Sequence, residues 1–140
     1  KTDRALCVID LDTVMPGLSV NDFGDAIRFG ASTAAEDERD LSRVHFDIEL
    51  YEAYVQGYLS TCGKSLTKAE IAMLPVGARM MTLECGMRFL TDHLLGDVYF
   101  HISRENHNLD RARTQFALLG DMEAQWDEMR RIVDEAAKTI

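Results

Sequence analysis

Two carboxylates at the end of an apolar run are the first feature of this chain equipped for chemistry: Val8-Ile9-Asp10-Leu11-Asp12-Thr13-Val14, followed by Asn21-Asp22-Phe23-Gly24-Asp25. Carboxylates at a strand end suit a hard cation such as Mg2+, which prefers oxygen ligands and keeps waters and substrate phosphates in its remaining positions. The same aspartates serve equally well as caps of turns and of the next helix, and spacing alone leaves both uses open. The histidines carry less. His45, His93, His101 and His107 show no ligand-like spacing on one helix and no HExxH motif, so helix-side packing or a solvated ring accounts for them.

The elements that must position the carboxylates begin with a strand. Arg4 to Leu11 reads as a buried strand, and a strand alone leaves its backbone donors and acceptors unpaired. We therefore expect a preceding portion of the chain, or a dimer through the unpaired strand, to supply the partner. Pro16-Gly17 signals a turn, and Ser19 or Asn21 is placed to cap a short helix reaching Gly30. Ala31 to Asp40 reads as a loop or a frayed helix start. Ile48, Tyr51, Tyr54, Val55, Tyr58 and Leu59 recur at helical spacing and end near Cys62-Gly63, where glycine suits a left-handed cap. Thr67-Lys68-Ala69-Glu70 has the capping-box form.

Pro75 is expected to divide the region after this box into a short helix and a longer one ending near Leu95. Val76, Met80, Leu83, Met87, Leu90 and Leu94 form an apolar stripe expected to face the core, with Met80, Met81 and Met87 filling gaps there. A last helix starts near Leu109, with a possible kink at Gly120. The expected fold is mainly α: one strand or hairpin remnant and four or five helices, the final three packed as a bundle, all within one domain over residues 1–140.

Composition narrows the partners. With 46% hydrophobic and 28% charged residues the chain is globular. A net charge of -9 opposes a surface built to neutralise nucleic-acid phosphates or anionic lipid. Three widely spaced cysteines without a CxxC pair give no disulfide framework. No apolar run approaches the roughly 20 residues of a membrane span, and no signal-peptide pattern opens the sequence, so a cytoplasmic setting is expected.

The tract IDLDTVMPG at residues 9–17 with NDFGDAIR at 21–28 resembles the aminoglycoside-phosphotransferase-like kinases. Within that family, GYL at 57–59, LTKAE at 66–70, ECGMRFLTDHLLGDVYF at 84–100 and NLDRARTQFALL at 108–119 are most similar to the N-acetylhexosamine kinases that phosphorylate the anomeric hydroxyl. The resemblance implies the helical C-terminal subdomain of a protein-kinase-like fold, with ATP and Mg2+ as cofactors and a small sugar as substrate. It implies that Asp10 binds the metal, assisted by Asp12. Asp25, or Asp22 if the alignment slips, would brace the catalytic loop, and Arg88 and Tyr99 would contact the sugar. Arg offers a fixed fork of donors and Tyr a ring face with a hydroxyl, a pair suited to a neutral amino sugar.

Read without the resemblance, Arg88 pairs with Glu84 or Asp92 one helical turn away and Tyr99 packs in a loop. The phosphate-covering loop, the phosphate-positioning lysine and the HxDxxxxN catalytic loop of the kinase template do not occur in these residues. The catalytic base is thus expected upstream, and the 140 residues alone are expected to be inactive.

Two alternatives stand beside this one. DxDxV also resembles the first motif of haloacid-dehalogenase-type phosphatases, which would make Asp10 a nucleophile and Asp12 a general acid/base. Those enzymes carry further parallel strands, whereas everything after residue 20 here reads as helix. The other alternative is a helical interaction module without a ligand site.

Overall fold

The computed structural model describes residues 7–9, 11, 12 and 14–140. The described chain is mainly helical, with five α-helices: α1 (Ser19–Gly30), α2 (Ile48–Cys62), α3 (Lys68–Leu94), α4 (His107–Ala124) and α5 (Trp126–Ala136). The 27 residues of α3, about 40 Å of helix, form the axis of the fold. Its start is fixed by the expected capping box, in which Thr67 accepts from the Glu70 amide and Glu70 accepts from the Thr67 amide.

Helices α1 and α4 approach α3 through its small residues. An added Cβ on Gly24 would lie 2.3 Å from the Gly77 carbonyl oxygen, and one on Gly77 would lie 2.3 Å from that of Val20. Backbone therefore meets backbone where α1 crosses α3. Helix α4 runs antiparallel to α3: Arg79 pairs with Glu123, Thr82 touches Met122 and Gly86 faces Phe116. Helix α2 sets Tyr51, Tyr54 and Tyr58 edge-on around Phe23 of α1 and meets α5, where the Tyr51 hydroxyl donates to the Met129 carbonyl. The loop between α1 and α2 is strapped to α4 by the Asp121 carboxylate, which accepts from the Phe46 amide, and by Thr114, which donates to the Glu38 carbonyl.

Several expectations are corrected. The described part of the N-terminal segment, Cys7–Ile9 and Leu11, carries no strand, and Val8 and Ile9 are 80% and 77% exposed instead of buried. No neighbouring strand exists among the described residues to pair with it, since the only β contact is the isolated Ser32–Phe46 bridge. Arg4 to Leu6 and Asp10 lie outside the described residues.

Neither Ser19 nor Asn21 caps α1. Leu18 occupies that position without a side-chain bond, and Ser19 instead donates across to Glu70 of α3. Pro75 does not split α3, because the proline sacrifices only one backbone bond while its buried ring and the glycine-centred packing beside it hold one axis. Gly63 is right-handed, with φ -55°, and continues into a 3-10 turn. It is small because Ile140 lies where its Cβ would be, 2.7 Å away. The break in the C-terminal helix falls at Gln125, whose amide side chain donates to the Phe46 carbonyl, and not at Gly120.

The largest correction concerns the stripe on α3. Met80, Leu83, Met87 and Leu94 are 41%, 42%, 55% and 75% exposed. The buried face is instead Leu74, Gly77, Ala78, Thr82, Gly86 and Phe89. Small side chains allow both neighbouring helices to come close, and the bulky stripe is left outside.

Candidate functional site

Three helices bring arginines to one hollow. Arg28 near the end of α1, Arg88 on α3 and Arg111 on α4 line a cavity of about 520 Å3 with Asp25, Glu36, Glu84, Cys85, His101 and Phe100. The charges interlock. Arg28 donates to Asp25 at 3.0 Å and to Glu36 at 2.8 Å, and Arg111 reaches Glu36 at 3.8 Å. Arg88 makes a loose contact of 3.6 Å with Glu84.

Burial works against the Arg28 charge, and Cys85, Glu36 and Asp25 more than offset it, holding the guanidinium above its ordinary value. Burial also pushes the Cys85 thiol up; Arg28 pulls the other way, while Glu36, Glu84 and Asp25 add to the rise. Cys85 therefore stands in the wall of the hollow as a protonated thiol at neutral pH.

The hollow continues past Glu84, Arg88 and Phe100 into an apolar groove lined by Met80, Leu83, Met87, Leu95, Val98 and Tyr99. Tyr99 lies on the groove side, 74% exposed. The Arg88 guanidinium carbon lies 5.9 Å from the Tyr99 ring centre and 5.4 Å from that of Phe100, cation–π distances that turn the arginine toward the loop after α3.

That loop is built on a buried carboxylate. Asp92 accepts from the backbone amides of Val98 (3.0 Å), Tyr99 (2.8 Å) and Phe100 (2.9 Å) and from the Asn108 side chain (2.9 Å). Burial opposes ionisation of Asp92, but these donors outweigh it and hold the carboxyl below the usual carboxylate range. Gly96 (φ +93°) and Asp97 (φ +57°) make the left-handed reversal that folds the amides back, and Asn108 also donates to Asp97 at 2.8 Å.

The structure thus brings Asp25, Arg88 and Tyr99 to one contiguous surface. Asp22 points elsewhere, toward Tyr54 and Tyr58, whose hydroxyls its charge helps to raise. Asp12 is exposed in a turn closed by the Val14 amide on the Leu11 carbonyl, and Asp10 lies outside the described residues. Arg88 does pair with Glu84, but Asp92 is taken by backbone amides and is not its partner.

Arg28, Glu36 and Arg111 join the site without having been singled out, and His101, read from the sequence as a packing or solvated ring, lines it as well. Arg28 and Arg111 lie in the tracts 21–28 and 108–119, whereas Glu36 and His101 fall outside every tract that carries the resemblance. No helix among the described residues is long and apolar enough to cross a membrane. No known protein-family model matches the chain.

Proposed function

We propose that this chain is the helical, acceptor-binding part of an ATP- and Mg2+-dependent cytoplasmic sugar kinase, whose acceptor is an N-acetylhexosamine phosphorylated at its anomeric hydroxyl. The observation that carries the reading is the charge balance of the hollow: Arg28, Arg88 and Arg111 stand against Asp25, Glu36 and Glu84. An anionic ligand entering there meets three carboxylates and a cationic one meets three guanidiniums. A neutral polyhydroxy ligand uses both, donating to the carboxylates and accepting from the arginines. The volume falls within the usual range of small-ligand sites.

In this reading Arg88 and Tyr99 orient the sugar, and Asp25 holds Arg28 as one wall. Mg2+ is assigned to Asp10 and Asp12 from the sequence resemblance. Among the described residues no three ligating side chains converge and Asp12 is a single exposed carboxylate, so no step is routed through the metal. The phosphate-covering loop, the lysine and the base belong, in this reading, to the rest of a longer chain.

The test is an amide NMR titration of the 140-residue chain with N-acetylglucosamine and N-acetylgalactosamine at millimolar concentration. Shifts clustered at Arg88, Tyr99, His101 and Arg111 with at least one sugar support the reading. Saturating sugar that moves none of them overturns it. One observation favours a second reading, an interaction module: the exposed apolar face of Met80, Leu83, Met87 and Leu95. It gains ground only if the titration leaves the hollow unmoved.

A further inference from the structure

We infer that Asp92 is the positioning residue of this site: its carboxylate, gripped by three successive backbone amides, fixes Tyr99 and Phe100 against Arg88. The assignment of what Tyr99 and Arg88 bind rests on the sugar-kinase reading above; the positioning itself does not.

A loop of six residues, Leu95 to Phe100, leaves the end of α3 through Gly96, which adopts its positive φ freely, and Asp97, a non-glycine residue held left-handed. Apart from the turn that ends α3 and the Asp97 carboxylate, which meets Asn108 at 2.8 Å and His93 at 3.7 Å, the bonds that tie the loop down converge on one residue. The Asp97 amide donates to the Asp92 carbonyl at 2.8 Å, and the next three amides donate to the Asp92 carboxylate. Asn108 of α4 donates to both Asp92 and Asp97, which pins the loop to a second helix. The loop side chains contribute little anchoring, since Val98 and Tyr99 are 77% and 74% exposed. Phe100 packs inward, on Phe89 at 4.7 Å between ring centres, and the other inward side chain is Asp97, held by Asn108. Asparagine at position 92 turns one acceptor into a donor facing backbone N–H groups that have no other partner among the described residues.

Two measurements test this. In Asp92→Asn, hydrogen exchange of the Val98, Tyr99 and Phe100 amides is expected to accelerate at least tenfold relative to amides of the α3–α4 core such as Ala78 and Leu118. Affinity for whichever hexosamine binds the wild type is expected to fall by a similar factor. In the unaltered chain, the same three amide protons are expected to shift together as pH falls and Asp92 takes up its proton, before the core amides move. This second arm needs no variant and stands if Asp92→Asn fails to fold.

Unchanged protection of residues 98–100 in a folded Asp92→Asn, or three amides that do not report a common titration in the wild type, overturns the inference. A wild type that binds neither sugar while the amides behave as expected overturns the acceptor reading alone. Asp92→Glu discriminates further: partial recovery of protection with the charge restored marks the carboxylate, whereas a defect as deep as that of Asn marks packing at the position and overturns the assignment.

Discussion

Arg88 has half its side chain in solvent and, among the described residues, a single ion pair 3.6 Å long, so little of the fold depends on it. Arg88→Ala is expected to change stability by no more than about 0.5 kcal/mol, as exposed substitutions do, while lowering hexosamine affinity at least tenfold. Thermal unfolding and calorimetric titration of the same sample separate the two effects, and intact affinity would remove Arg88 from the site. Thr67 is the opposite kind of residue, touching no site but closing the capping box of α3. Thr67→Ala should cost about 1 kcal/mol in denaturant unfolding with sugar affinity unchanged. The capping role is readable in four letters of sequence because both partners lie within one turn. Arg88's role is not, because whether it pairs with Glu84 or turns to a ligand depends on where the loop bearing Tyr99 ends up.

Among the elements, the crossing of α1 on α3 decides whether the hollow exists, since α1 carries Asp25 and Arg28. Gly77→Ala places a methyl against the Val20 backbone with no flexible side chain to yield. A loss of about 1–3 kcal/mol is expected, together with displaced resonances at Arg28 and Arg88. Gly120→Ala, exposed in mid-helix with nothing within 4 Å of the added carbon, should instead stabilise by about 0.5–1 kcal/mol. Opposite signs in paired thermal melts check the assignment of one glycine to packing and the other to chance. Both glycines look alike in sequence. The helical periods of α2 and α3 were legible there too, but the period of α3 contains two candidate inward faces. The bulky stripe lost to the small-residue face because α1 and α4 both need close approach.

For the molecule as a whole, the net charge of -9 is held by carboxylates that the fold favours in their ionised form. Glu70 is lowered by its bonds from Thr67 and Ser19, Glu128 by Arg131, and Asp40 by bonds from Ser42. Asp37 and Asp92 are raised by burial and lowered further by His107 and by backbone amides respectively. A depressed carboxylate contributes stability above its unfolded value and loses it as pH falls through the folded one. Melting temperature should therefore be flat from pH 7 to about 5 and drop steeply below about pH 4. A flat profile to pH 3 would show that these bonds do not stabilise the fold.

The sequence by itself determined the helical class, the places where helices α2 and α3 begin and the tyrosine spacing of α2, all set by residues one or two turns apart. Only the tertiary structure decided which face of α3 is buried, that Pro75 leaves the helix whole, that the described residues of the N-terminal segment stand exposed, and that three arginines from three helices share one hollow. Those outcomes depend on how closely helices approach, a matter of the volumes on both partners at once, which no single segment encodes.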